Sequence, residues 1–117
     1  MSENWIKLHR QILNWEWYSD TNTFRVFMHC LLMAQREDYK FRGVPLKAGQ
    51  FTTGLFDMAD VLGLSVQQVR TALKKLEKSG EINKQITSRY SIITVNNWNV
   101  YQQNNKQATS KQQASNN

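Results

Sequence analysis

Apolar residues recur at helical spacing at Val69, Leu73 and Leu76, with Ala72 beside them, while Gln67, Thr71, Lys74 and Lys78 fall on the opposite side. At about 100° per residue these are two faces of one helix. Gln68, Arg70 and Lys75 flank the polar face. Ser65 predicts the start, because its hydroxyl accepts from a first-turn amide that has no helical partner. Gly80 predicts the end as a left-handed C′ residue. Upstream, Met58, Ala59 and Leu62 share one face of a shorter helix, capped by Thr53 and closed by Gly63. Gly63-Leu64 is then a turn short enough to hold two helices at a steep angle. Downstream, Ile82, Lys84 and Ile86 alternate with Asn83 and Gln85. Tyr90, Ile92 and Thr94 alternate with Ser91, Ile93 and Val95. Two such period-two runs, joined near Thr87-Ser88-Arg89, predict a hairpin.

The N-terminal third is aromatic. Trp5-Ile6-Lys7-Leu8 starts extended, and His9 to Asn14 predicts a short helix that carries Ile12 and Leu13 inward. Ser19-Asp20-Thr21-Asn22 is capping chemistry for a helix from about Thr23 to Arg36. That helix has an apolar face of Phe24, Phe27, Met28 and Leu31, running on to Gln35. A second stripe, Val26, Cys30 and Met33, is set off by a polar strip of Arg25, His29 and Arg36. Two stripes imply burial on two sides. The second is expected to cover the N-terminal tryptophans and Trp98, the alternative being a dimer surface. Phe41 to Thr52 holds Gly43, Pro45 and Gly49 and reads as a loop with short strand pieces. Gln50-Phe51-Thr52 is expected to be a third strand against the hairpin, with Trp98 and Tyr101 packing back to close the fold. Residues 102–117 are polar and small apart from two lysines, which predicts a disordered tail or linker. Helix, turn, helix and two-stranded wing together predict a winged helix-turn-helix over residues 1–101. The class is mainly α with a small β-sheet, α+β, with an extra N-terminal segment.

The charge sharpens this picture. The chain has 117 residues and a net charge of +6, room for one domain and a balance that favours polyanions. Six cations against two carboxylates, a net of +4, fall between Ser65 and Tyr90. The helix and wing therefore predict a reader of double-stranded DNA. Ser65, Gln67, Gln68, Arg70 and Thr71 lie in the N-terminal part of the helix, where base edges are read. Lys74, Lys75, Lys78, Lys84, Ser88 and Arg89 are expected on the backbone.

Other chemistries find little support. No stretch approaches the roughly 18 consecutive apolar residues of a membrane span, and Met1-Ser2-Glu3-Asn4 has no signal pattern. Cys30 is the one cysteine, so no internal disulfide forms, and a buried thiol in a cytoplasmic protein is expected. With it, His9 and His29 make no zinc site, and no metal or cofactor is expected. There is no phosphate-binding glycine loop and no nucleophile elbow. Asp57 and Asp60 read as an ordinary exposed helix face, so the chain is not expected to be an enzyme.

Three segments together resemble a known family. They are Trp5-Ile6-Lys7-Leu8-His9-Arg10, Asp20-Thr21-Asn22-Thr23-Phe24-Arg25, and Gly63-Leu64-Ser65-Val66-Gln67-Gln68-Val69-Arg70-Thr71-Ala72-Leu73. With the ending Tyr90-Ser91-Ile92-Ile93-Thr94-Val95-Asn96-Asn97-Trp98, they look like the N-terminal winged-helix domain of phage replication initiators. Those replisome organisers are related to the N-terminal region of DnaD-type primosomal proteins. The resemblance implies origin binding by this domain and recruitment of replication proteins by a C-terminal domain that lies outside this sequence. The chain is then either a fragment or a short relative. The expected function is sequence-specific duplex binding in a phage or mobile-element initiator. The expected state is a monomer in solution, with several copies on repeated sites. The alternatives are a transcription regulator on the same fold and a winged-helix protein-interaction module.

Overall fold

The computed structural model describes residues 5–98 and Gln102. The expected packing of Tyr101, the polar tail apart from Gln102, and residues 1–4 lie outside them. Asp20 opens α1, Thr21–Met33, by accepting from the Thr23 amide at 3.1 Å. The helix stops well before the expected Arg36, because the chain is taken over by a sheet-like exchange. The Gln35 amide donates to the Gln50 carbonyl at 3.1 Å, and the Gln35 carbonyl accepts from Gly49 at 2.8 Å. α2 spans Leu55–Leu62 and is capped at Gly54, with no side-chain bond. The expected Thr53 cap fails because Thr53 belongs to a strand, paired with Ser91. Its hydroxyl is turned onto the Gly54 carbonyl at 3.3 Å.

Gly63, at φ 72°, ends α2 as expected. The Leu64 amide reaches back to the Ala59 carbonyl at 3.0 Å. The Arg25 guanidinium donates to the Leu62 carbonyl at 2.6 Å, so the polar strip of α1 closes the exposed end of α2. α3, Val66–Lys78, begins at Ser65 with a reciprocal capping box. It ends in a Schellman closure, with Glu81 donating to the Leu76 carbonyl at 2.9 Å and Gly80 to Glu77 at 3.1 Å.

Two antiparallel sheets complete the chain. Tyr39–Phe41 (β1) pairs with Val44–Leu46 (β2), a hairpin in place of the expected loop. Its link, Arg42-Gly43, is left-handed at both residues, φ 50° and 82°, the handedness that matches strand twist. The second sheet holds Gln50–Thr53 (β3), Ile82–Ile86 (β4) and Ser91–Val95 (β5) in the order β3-β5-β4. Both the hairpin of β4 and β5 and its third strand follow the expected pattern. Ile93 stands between Phe51 and Lys84 across the three strands.

The core collects Val26 and Cys30 from α1, Met58 and Leu62 from α2, and Val69, Leu73 and Leu76 from α3. Phe51, Ile82 and Ile93 form its sheet side, and Trp98 closes it. The two stripes of α1 divide differently from the expectation, although Leu31 of the first still reaches the core and the second does share it with Trp98. Val26 and Cys30 are fully buried, and α1 packs mainly on α3. Phe27 and Phe24 instead meet the N-terminal aromatics, Trp15 at 4.8 Å and Tyr18 at 5.6 Å between ring centroids. Short and β-branched side chains let two helices approach closely, whereas large rings fill the wider groove under the N-terminal segment. Met33 joins neither stripe and is 43 % exposed. The thiol of Cys30 is pushed up to about 12 by burial, so it is inert packing.

The N-terminal helix is a 3₁₀ turn, Arg10–Asn14. Three residues per turn align Ile12 with Trp15 and send Leu13 outward; Leu13 is 58 % exposed, against expectation. The extended segment before it is clamped by the Gln102 amide, which accepts from the Lys7 amide and donates to its carbonyl, both at 2.8 Å. Among the described residues no helix is long and apolar enough to cross a membrane.

Candidate nucleic-acid interface

The polar face of α3 is exposed along its length through Gln67, Arg70, Thr71, Lys74 and Lys78. Their spacing is that of neighbours on a helix surface, and three are already joined. Gln67 donates through Nε2 to the Thr71 hydroxyl at 3.3 Å, and its Oε1 accepts from Arg70 at 3.3 Å. These bonds orient the Gln67 amide while leaving further guanidinium N–H groups of Arg70 facing outward.

Ser65 and Gln68 have a different task. The Ser65 hydroxyl accepts from the Gln68 amide at 3.0 Å, and Gln68 Oε1 accepts from the Ser65 amide at 2.9 Å. Both are exposed, but the box commits one acceptor on each to holding the helix start. What Gln68 can still offer a ligand is its side-chain NH₂.

Lys75 departs furthest from the expected backbone set. Its ammonium lies 2.7 Å from the Asp20 carboxylate and 5.4 Å from the centre of the Trp17 ring. The Lys75 hydrogen bond holds Asp20 below its ordinary pKa despite the opposing effect of burial. Asp20 thus caps α1 and fastens α3 with the same side chain. Lys75 faces the domain and leaves the set of cations presented outward.

The hairpin of β4 and β5 carries the rest. Lys84 is half-buried on β4, while Ser88 and Arg89 are exposed at the tip. The tip is closed by Thr87, whose hydroxyl donates to the Tyr90 carbonyl at 2.7 Å and accepts from the Tyr90 amide at 3.1 Å. Ile86 is 72 % exposed, so the hairpin outruns the core and projects. Tyr90 meets Phe41 edge-on at 5.5 Å, which joins this tip to the β1–β2 hairpin, where Lys40 and Arg42 are exposed. Sequence reasoning missed these two; an Xaa-Gly link between the short runs ending at Phe41 and starting at Val44 was the available signal.

Two tryptophans buttress the junction of α3 and β4. Trp17 donates to the Ser79 hydroxyl at 3.0 Å, and Trp15 to the Glu81 carboxylate at 3.0 Å. A cavity of about 210 Å³ beside them is lined by Ile12, Trp15, Phe27, Leu31 and Glu81, among others. Burial raises the Glu81 pKa, with the Trp15 bond working against the rise. A carboxyl group whose folded pKa lies above its unfolded value binds a proton more readily when folded. Between those two values the contribution of Glu81 to stability therefore grows as pH falls. Glu81→Gln keeps an acceptor for Trp15 and removes the charge. The variant should be at least as stable as the wild type at pH 7, and the gap should close as pH falls through the raised pKa. Denaturant melts at several pH values check this; a variant less stable at pH 7 would show that the charged hydrogen bond outweighs the burial cost.

Among the described residues no group of three or more His, Cys, Asp or Glu side chains could hold a metal ion. Comparison with family models, with curated proteins and with solved structures finds no match to this chain.

Proposed function

We propose that this chain is a winged-helix module that binds double-stranded DNA, with α3 in the major groove and the β4–β5 hairpin as its wing on the adjacent backbone. The observation that carries the reading is the exposed polar face of α3, Gln67, Arg70, Thr71, Lys74 and Lys78, on a helix fixed at both ends. A major groove about 12 Å wide admits one helix, and amide and guanidinium groups pair with adenine and guanine edges there. Lys74, Lys78, Lys84 and Arg89 supply phosphate contacts, with Ser88 at the wing tip. The resemblance to phage replication initiators gives the biological setting, recognition of an origin, and the domain acts as a monomer of which several copies assemble on repeated sites.

Selection from random duplexes, followed by footprinting on DNA that flanks or includes the gene, tests the reading. A preferred site should emerge. Gln67→Ala and Arg70→Ala should each cost about 1–3 kcal/mol of discrimination for that site while binding to random duplex falls less. Equal losses on both duplexes would place these residues on the backbone. An absence of duplex binding at low salt would overturn the proposal.

A further inference from the structure

The β1–β2 hairpin carries Lys40, Arg42 and Lys47 within residues 39–47, with no carboxylate. Its pairing puts Tyr39, Phe41, Val44 and Leu46 on one face, and these are half-buried or buried, while Lys40 and Pro45 on the other face are exposed. The hairpin thus rests on the domain by its apolar side and shows a cationic side to solvent. The nearest acids, Glu37 and Asp38, precede it at the end away from the turn. Asp38 is engaged there, accepting from the Ala48 amide at 3.0 Å.

The turn itself points to a use. Arg42 is held at φ 50°, a conformation that disfavours most side chains and that Asn, Asp or Gly adopt readily. A long cation stands where local preference asks for a small residue. Its guanidinium lies 5.1 Å from the centre of the Phe41 ring, and that ring meets Tyr90 at 5.5 Å. Tyr90 directly follows Arg89 at the tip of the β4–β5 hairpin. One aromatic pair therefore ties two basic turns together. Pro45 removes an amide donor from β2, which makes its edge a poor template for an added strand.

We propose that the β1–β2 hairpin is a second DNA-contacting finger, laying Lys40 and Arg42 on phosphates next to those held by the β4–β5 hairpin. This rests on the duplex-binding reading above and extends its footprint. DNA carries one charge per about 1.7 Å of axis, so a row of basic turns meets phosphates without reading sequence.

The test compares wild type with the double variant Lys40→Gln/Arg42→Asn on the selected duplex. Asn accepts the left-handed turn and Lys40 is exposed on its strand, so the variant should keep the wild-type circular dichroism and melting temperature. Near 0.1 M salt its affinity should fall about 30–100-fold, and the log–log salt slope should become shallower by about 2. Hydroxyl-radical protection should be lost at one flank of the footprint, with site preference unchanged. If wild type binds and the variant matches it in affinity and slope, the second finger is refuted and duplex binding stands. An affinity loss with an unchanged footprint refutes it equally. If wild type binds no duplex at 50 mM salt, the duplex-binding reading falls first and takes this one with it.

Discussion

Raising salt from about 50 to 200 mM is expected to weaken duplex binding by roughly 10²–10³-fold. The number rests on the exposed cations Lys74 and Lys78 on α3 and Arg89 at the β4–β5 tip, with half-buried Lys84 as a fourth contact, and Lys40 and Arg42 bring the total to six. Each neutralised phosphate releases condensed counterions, so log K should fall against log salt with a slope of about −3.5 to −5.5. Lys75 supplies the internal control. It is bound to Asp20 at 2.7 Å with both side chains partly exposed, a pair worth at most about 1 kcal/mol to stability. Lys75→Gln should therefore lower the melting temperature slightly and leave the slope unchanged, whereas Lys74→Gln should make it shallower by about 1. Fluorescence anisotropy titrations over a salt series measure both. A flat response in the wild type would remove backbone contacts from the account, and a shallower slope for Lys75→Gln would return that lysine to the interface.

The contrast between Lys74 and Lys75 shows what the sequence could reveal. Ser65, Gly63 and Gly80 were legible because caps are local chemistry, settled within one turn of the residue that makes them. The buried side of α3 was legible because a 3.6-residue period leaves little choice of face. A residue on the flank of that face is another matter. Whether Lys75 turns to solvent or inward depends on Asp20, 55 positions away, and on the Trp17 ring beneath it. Arg25 is similar, since the Leu62 carbonyl it closes lies 37 positions on.

The stripes of α1 failed for a related reason. Periodicity revealed two apolar stripes but carried no information on which neighbour each would meet. Side-chain size decided it, with Val26 and Cys30 placed in the common core and Phe24 and Phe27 against the N-terminal rings. The β1–β2 hairpin stayed hidden because its strands are three residues each, too short for alternation to stand out. Leu13 was misplaced by assuming an α-helical period where the chain makes a 3₁₀ turn.

Gly49→Ala should destabilise the fold by about 2–4 kcal/mol, and nothing in the local sequence announces it. Gly49 sits at φ +91°, and a Cβ built there would lie 2.7 Å from Trp98 Cβ and 2.8 Å from Trp98 Cγ. Those atoms are the base of a buried side chain and cannot swing aside as a flexible tip could. Moving Gly49 instead would disturb two attachments at once. Its amide donates to the Gln35 carbonyl at 2.8 Å where α1 gives way to the loop, and its carbonyl accepts from Val95 at 2.8 Å at the end of β5. Gly63→Ala separates the two sources of cost. It has a similar backbone, φ +72°, with nothing within 4 Å of the added carbon, so it should lose only the conformational part, about 1–2 kcal/mol. Trp98→Gly removes both clashing atoms, Cβ included, so its combination with Gly49→Ala should cost less than the two single losses added together. Urea denaturation of the four variants completes the comparison. Equal losses for the two glycine substitutions, with additive behaviour in the cycle, would mean that the backbone yields at Gly49 and that its contact with Trp98 does not constrain the fold.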